Sequence, residues 1–191
     1  YLGNTGESIV LPPRLFSHSD QQRQFQSEPT GVFNYGWGGR LAELLESYNN
    51  NPLVSPLISL AGRNPFQVTL EGQINPYTLG NTGIVPLSRF TGARSSMVTN
   101  YMTSIDTSSH LMAQKYADIF DSARTAQDII ESAFSSAESS GVNFDDIFAA
   151  AGVSTDSDIG NRLKTVAKMI KGRSEGSNNR PIYFVEMNGF D

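Results

Sequence analysis

Three groups of polar side chains in this sequence have the residue types that bind anions or metal ions. The first is Asp191, which follows the apolar segment in PIYFVEMNGFD at residues 181–191. Ligands of open α/β sheets bind at the carboxyl ends of the strands, so an acid just past a strand is placed to ligate a metal ion or to act as a general base. The alternative is an ordinary loop aspartate that caps a following helix.

The second group is SHSDQQ at residues 17–22, which places serine, histidine and aspartate side by side. Catalytic triads are assembled from distant segments, so that each side chain reaches the next. Neighbours on one helical turn do not form that arrangement, and a capped helix start with a polar face is the favoured interpretation. One role stays open for His18, which is to bind an anionic substrate.

The third group is GWGGR at residues 36–40, where the single tryptophan stands among glycines just before a helical segment. A glycine-rich turn into a helix N-terminus can hold a phosphate group. The segment has neither the lysine of a P-loop nor the GxGxxG spacing of a dinucleotide site. The favoured interpretation is therefore close packing of the loop, with Trp37 as its anchor.

A complete metal site is not expected from this chain alone. It has two histidines, His18 and His110, and no cysteine, whereas a zinc site takes three or four protein ligands. The acids at 145–146 and 156–158 lack the spacing of a calcium-binding EF-hand loop. They are expected to be acids of helix N-terminal turns, which the helix dipole favours.

The composition is that of a folded globular chain. Its 191 residues are 38% hydrophobic and 17% charged, and they include 11 Phe and 7 Tyr. The formal net charge of −5, without a cluster of basic residues, argues against a nucleic-acid-binding surface. No apolar run approaches the roughly 20 residues of a membrane-spanning helix.

Helical spacing of apolar residues predicts most of the secondary structure. The expected helices cover residues 15–26, 39–49, 95–138 with a break near 106–107, 143–152 and 154–173. The last of these has acids in its first turn and lysines toward its end, as the helix dipole favours. Its expected buried face consists of Ile159, Leu163, Val166, Ala167 and Ile170.

Three strands are expected. LISLAG at 57–62 is a short apolar run typical of a buried strand, and the alternation in FQVTLEG at 66–72 predicts an edge or hairpin strand. Residues 73–94, rich in glycine and proline, are expected to be irregular. The final strand begins at Pro181, and its continuous apolar run predicts burial on both faces in the middle of a parallel sheet.

Helix, polar loop and apolar strand at the end of the chain form half of a βαβ unit, so the predicted class is α/β. Three short strands are too few to bury a central strand, and further strands are expected on polypeptide outside these residues. The chain is accordingly expected to be a single incomplete domain. Its parts are a loop, helix and strand block at 1–62, an irregular and largely helical insertion at 63–155, and a helix with the central strand at 156–191.

Three blocks of the sequence resemble the bacterial family called domain of unknown function 1501. They are LPPRLFSHSDQQRQFQ at 11–26, GWGGRLAELL at 36–45, and the helix RLKTVAKMI at 162–170 that leads into RPIYFVEMNGFD at 180–191. The blocks occur in the same order in that family. The resemblance is strong at the two ends of the chain and loose in between.

The resemblance implies a doubly wound α/β fold like that of alkaline phosphatases and sulfatases, with helices flanking the sheet. It also implies export to the periplasm or the extracellular space. In the family, the final block continues into an Asp-x-His pair that resembles two metal ligands, and Asp191 matches the aspartate. The histidine and the other expected ligand blocks fall outside these residues, on the N- and C-terminal polypeptide that would complete the protein.

The function implied is that of a metal-dependent hydrolase of phosphate or sulfate esters, inactive as this portion alone. Zinc, calcium or magnesium would be held in part by Asp191, while His18 and Arg40 would help to hold the anionic substrate. The alternative is an exported binding or surface-assembly protein that kept the fold without the chemistry. Its ligand would be a glycan or a protein partner.

Overall fold

A three-stranded parallel sheet lies at the centre of the fold in the computed structural model. The strands are β1 (Leu57–Ser59), β2 (Tyr77–Thr78) and β3 (Ile182–Phe184), in the order β2-β1-β3. Ile58 of β1 pairs with Tyr77 on one side and Tyr183 on the other. The structure describes residues 14, 16–27, 35–49, 53–72, 74–85, 91–106, 108–154, 157–176 and 179–187.

Helices make up most of the remaining structure. They are α1 (His18–Gln26), α2 (Trp37–Leu44), α3 (Gly92–Thr103), α4 (Leu111–Ser139), α5 (Phe144–Ala150), α6 (Asp158–Lys171) and α7 (Arg173–Gly176), with 3-10 turns at Glu46–Tyr48 and Pro65–Gln67. A mixed α/β class and a largely helical middle segment are thus confirmed. Across the described residues, no helix combines the length and apolar character needed to cross a membrane.

One face of the sheet is covered by α4 and α6. Ile58 on β1 packs with Ile130 of α4 and Met169 of α6, and Tyr183 lies against the same cluster. Successive side chains of a strand point to opposite faces, so Leu57 of β1 and Phe184 of β3 lie on the opposite face of the sheet. Burial raises the pKa of Tyr183 to about 12, because the tyrosinate anion is poorly solvated there.

The opposite face is covered by α2 and the 3-10 turn at Pro65–Gln67. The ring of Phe66 lies 5.5 Å from that of Phe184 and 4.4 Å, edge to face, from that of Trp37. Glycines allow this approach, since a Cβ at Gly36 would overlap the carbonyl oxygen of Phe66 and one at Gly38 would overlap its ring. Close packing of the glycine loop with Trp37 as an anchor is therefore confirmed.

Side-chain caps explain where several helices begin. Ser17 accepts a hydrogen bond from the Asp20 amide at the start of α1, and Ser157 does the same for Gly160 at the start of α6. His110 is exposed and caps α4 through Nδ1, which accepts a hydrogen bond from the Met112 amide. Asp145 stands in the first turn of α5, as predicted for the acids at 145–146.

The strand predicted at 66–72 is wrong. Asn64 accepts a hydrogen bond from the Gln67 amide, and Pro65 takes the first position of the turn, which closes a 3-10 turn instead. Its apolar residues do not share one face, because Phe66 is buried while Leu70 is exposed. The sheet gains β2 from residues 73–94, which the sequence predicts to be irregular, and this strand is only two residues long.

The prediction that the last strand is central and buried on both faces requires further strands outside these residues, and it stays a prediction. β3 is parallel to β1, as expected, but it lies at an edge and each of its residues is half-buried. The central strand is β1, whose three residues are all buried. A continuous apolar run shows that a strand has apolar side chains on both faces. It does not show which of two such strands lies at the centre of the described sheet and which at its edge.

The expected buried face of α6 is confirmed only in part, through Val166, which packs against the core. Leu163 and Ile170 are 41% and 50% exposed, whereas Gly160, Thr165 and Met169 are buried. Gly160 packs against the carbonyl of Ser154, and Thr165 donates to the carbonyl oxygen of Asn81. Contacts made by small and polar residues set the rotation of this helix, so its most apolar stripe does not face the core directly.

Replacement of Ile130 by alanine should lower the free energy of unfolding by about 2–5 kcal/mol, because it opens a cavity in the core between α4 and the sheet. Ile130 is 1% exposed, whereas Ile119 on the same helix is 58% exposed. The matched Ile119→Ala variant should change stability by no more than about 0.5 kcal/mol. Urea unfolding followed by circular dichroism measures both, and equal losses would contradict this placement of α4.

Candidate functional site

The carboxyl ends of β1 and β3 lie at the same edge of the sheet, because the two strands are parallel neighbours. The chain places β2 on one side of β1 and later returns to place β3 on the other. In open α/β sheets, ligands bind in the crevice outside the carboxyl ends where the strand order changes direction in this way. The residues that follow Ser59 and Phe184 are therefore the first place to look for a site.

A polar cleft lies at this edge, between the ends of the two strands and α1. It encloses about 540 Å³, part of which is open to solvent. Its described lining combines amide, hydroxyl, guanidinium and carboxylate groups, with no aromatic side chain. The lining residues are Ser19, Gln22, Arg23, Gln26, Arg63, Asn64, Pro65 and Glu186.

Helix α1 contributes one complete polar face to the cleft. Ser19, Gln22, Arg23 and Gln26 follow the i, i+3, i+4, i+7 spacing that aligns side chains on one side of a helix. The Ser17 cap and the Arg14–Asp20 ion pair, at 3.5 Å, hold the start of the helix. A separate side-chain hydrogen bond, in which the Ser17 hydroxyl interacts with the Asp20 carboxyl, is the main reason why the pKa of Asp20 lies below its usual value, so this carboxyl is charged at neutral pH.

The charges of the cleft are two guanidinium groups and one carboxylate. Arg23 comes from α1, Arg63 from the loop after β1, and Glu186 from the segment after β3. Within the described part of the chain, neither Arg23 nor Arg63 forms an ion pair. Guanidinium groups offer planar sets of donors that match phosphate, sulfate or carboxylate oxygens, so this pair suits an oxyanion.

A buried network of amides fixes the loop that carries Arg63. Asn64 Nδ2 lies 3.2 Å from Ser59 Oγ, at the end of β1, and 3.1 Å from Gln67 Oε1. Gln67 is fully buried, and its Nε2 donates to the carbonyl oxygens of Ile58 at 3.1 Å and Ile182 at 3.2 Å. One side chain thus joins β1 to β3 directly beneath the cleft.

A second network fixes the segment that carries Glu186. Arg162 of α6 donates to the backbone carbonyl of Glu186 at 3.2 Å and forms an ion pair with Asp158 at 2.6 Å. Asn81, in the turn after β2, donates to the same aspartate at 2.9 Å. Hydrogen bonds from Asn81 and then Arg162 hold the pKa of Asp158 below its usual value, so that the carboxylate stays charged and the network stays intact at neutral pH.

The described residues of the cleft do not match a metal ion. Among them, no group of three or more His, Asp or Glu side chains is placed to hold one. Two guanidinium groups beside a single carboxylate give the cleft a net positive charge, which attracts an anion and repels a cation. The described donor set is therefore that of an anion site.

The three residues predicted to form the site are placed differently from one another. Asp191 lies outside the described residues, which end at 187. His18 is exposed in the first turn of α1, next to the cleft residue Ser19, but is not part of the cleft lining. Arg40 lines a separate groove between α1 and α2, and its guanidinium carbon lies 5.8 Å from the centre of the Tyr35 ring.

Three functional candidates were missed by reasoning from the sequence alone, namely Arg23, Arg63 and Glu186. The signals were weak but present. Arg23 lies on the QQRQ segment of the predicted first helix, and Glu186 directly follows the apolar run of the last strand. Arg63 had no signal of its own, because its position depends on the turn at Pro65–Gln67, where a strand was predicted.

Comparison with known proteins adds no identification. Neither a protein-family model, nor a curated protein, nor a solved structure matches this chain. Any proposal about its function therefore depends on the cleft itself and on the resemblance of the three sequence blocks.

Replacement of Gln67 by methionine should lower the free energy of unfolding by about 1–3 kcal/mol, because it keeps the volume but removes the donors to Ile58 and Ile182. The control is Gln127→Met, since the amide of Gln127 donates to Glu131 at the exposed surface of α4. That variant should stay within about 0.5 kcal/mol of the parent. If urea unfolding shows the same stability for both variants, Gln67 does not join the strands.

Proposed function

We propose that the protein containing this chain is an exported, metal-dependent hydrolase of phosphate or sulfate esters, and that the cleft at the carboxyl ends of β1 and β3 binds the anionic ester group. The observation that carries the proposal is the pair of guanidinium groups of Arg23 and Arg63 at one cleft, neither of which forms an ion pair with a described residue. Their location at the edge where open α/β sheets bind ligands supports it further.

Binding of the ester oxygens follows from the chemistry of the lining. Arg23 and Arg63 approach from α1 and from the loop after β1, so they can donate to different oxygens of one tetrahedral group. Gln22 and Gln26 add neutral amides, which can donate further hydrogen bonds. We assign the anion-binding role to Arg23 and Arg63, because Arg40 faces the other groove, while His18 remains a candidate contact at the rim.

The hydrolytic part of the proposal is supported by the sequence resemblance. Asp191 is proposed as one ligand of a divalent ion, either zinc, calcium or magnesium, with its other ligands on polypeptide outside these residues. Such an ion polarises an ester oxygen when it is bound. The contribution of the described residues is to hold and orient the anionic group, and export to the periplasm or the extracellular space is proposed on the same resemblance.

Replacement of Arg63 by glutamine in the full-length protein should weaken the binding of inorganic phosphate or sulfate at least about tenfold, because a charge-assisted hydrogen bond is lost. Arg23→Gln should have a similar effect. Arg94→Gln on α3 is the matched control, since Arg94 is exposed and does not line the cleft, and it should bind like the parent. Isothermal titration calorimetry gives the affinities, and parental affinity in both cleft variants would overturn the anion site.

Asp191→Ala in the full-length protein should lower the bound metal content and the hydrolysis of p-nitrophenyl phosphate or sulfate together. Elemental analysis of the purified protein and a colorimetric assay measure the two quantities. Unchanged metal content would exclude the ligand role. Anion binding by a parent protein that hydrolyses neither ester would favour the alternative, an exported binding or surface-assembly protein.

A further inference from the structure

The cleft contains an acceptor as well as cations. The Glu186 carboxylate has no hydrogen bond or ion pair with a described residue, although its backbone is held by Arg162. A carboxylate accepts several hydrogen bonds, so one that lines a cleft without a partner among the described residues points to a donor on the ligand.

Electrostatics decides which donor the ligand supplies. With two guanidinium groups and one carboxylate, the cleft is positive overall, so a ligand ammonium group is repelled as it approaches Arg23 and Arg63. A second anionic group on the ligand would be repelled by the carboxylate of Glu186. A neutral hydroxyl group avoids both costs, because it donates to Glu186 and also accepts hydrogen bonds from the neighbouring amides.

The described lining also argues against an aryl or alkyl alcohol. It has no aromatic residue, and its only wholly apolar side chain is that of Pro65. Aromatic residues line the groove between α1 and α2 instead, where Phe25 and Trp37 are found. An apolar alcohol would therefore bury little apolar surface in the cleft, whereas several hydroxyl groups would meet several amide and carboxylate partners.

We propose that the ester bound at this cleft is the phosphate or sulfate ester of a carbohydrate or another polyol. The anionic group contacts Arg23 and Arg63, while hydroxyl groups of the same molecule donate to Glu186. This inference rests on the proposed function. The proposed function assigns the anionic part of the substrate, and the inference assigns its alcohol part.

Two primary phosphate esters of equal carbon number test the inference by isothermal titration calorimetry with the full-length protein. Glucose 6-phosphate should bind at least about tenfold more tightly than hexyl phosphate, because its hydroxyl groups donate hydrogen bonds to a charged acceptor, the Glu186 carboxylate. Glu186→Ala should remove most of this difference by weakening the sugar ester alone. The affinity for hexyl phosphate should stay the same or rise slightly, since a negative charge is lost.

The outcomes separate the inference from the proposed function. Equal affinity for the two esters, or an undiminished preference in Glu186→Ala, overturns the polyol assignment while leaving the oxyanion site in place. Failure of both esters to bind overturns the oxyanion site as well. Glu186→Ala should fold normally, because only the backbone carbonyl of Glu186 is held by Arg162, and circular dichroism checks this.

Discussion

The arrangement of the chain depends on the burial of β1 between two neighbouring strands and two layers of helices and turns. Strands of two or three residues have little stability of their own. β1 is stabilised because Ile58 packs on α4 and α6, while the opposite face lies under the turn that carries Phe66 and Gln67. The amide of Gln67 then ties β1 to β3, so the position of the sheet edge depends on one buried side chain.

The same contacts place the charges of the cleft. Asn64 holds the loop of Arg63 against the end of β1, and Arg162 holds the backbone of Glu186 at the end of β3. This rigid base carries charged side chains that form no ion pair with a described residue, and a rigid support is what keeps such groups in a binding geometry. Structural polar residues thus lie below the cleft, while the groups proposed to meet the ligand lie at its surface.

The sequence predicted the α/β class, the helices and the parallel pairing of the last strand, because periodicity and caps are local signals. The break near 106–107 and the Ser17 cap followed from the same kind of signal. The turn at Pro65–Gln67 was not predicted. A short run of alternating apolar and polar residues is also compatible with a turn that buries a single side chain, here that of Phe66. Arg63 was missed for this reason, and the placement of Arg23 and Glu186 at one cleft depends on contacts between distant segments.

A crystal structure of the full-length protein soaked with tungstate, whose anomalous signal identifies the ion, tests the central claim most directly. Tungstate mimics the tetrahedral geometry and charge of phosphate and sulfate. The account predicts one ordered ion at the carboxyl ends of β1 and β3, within hydrogen-bond distance of Arg23 and Arg63. An ion bound instead at Arg40, in the groove between α1 and α2, with the cleft left empty, would contradict it.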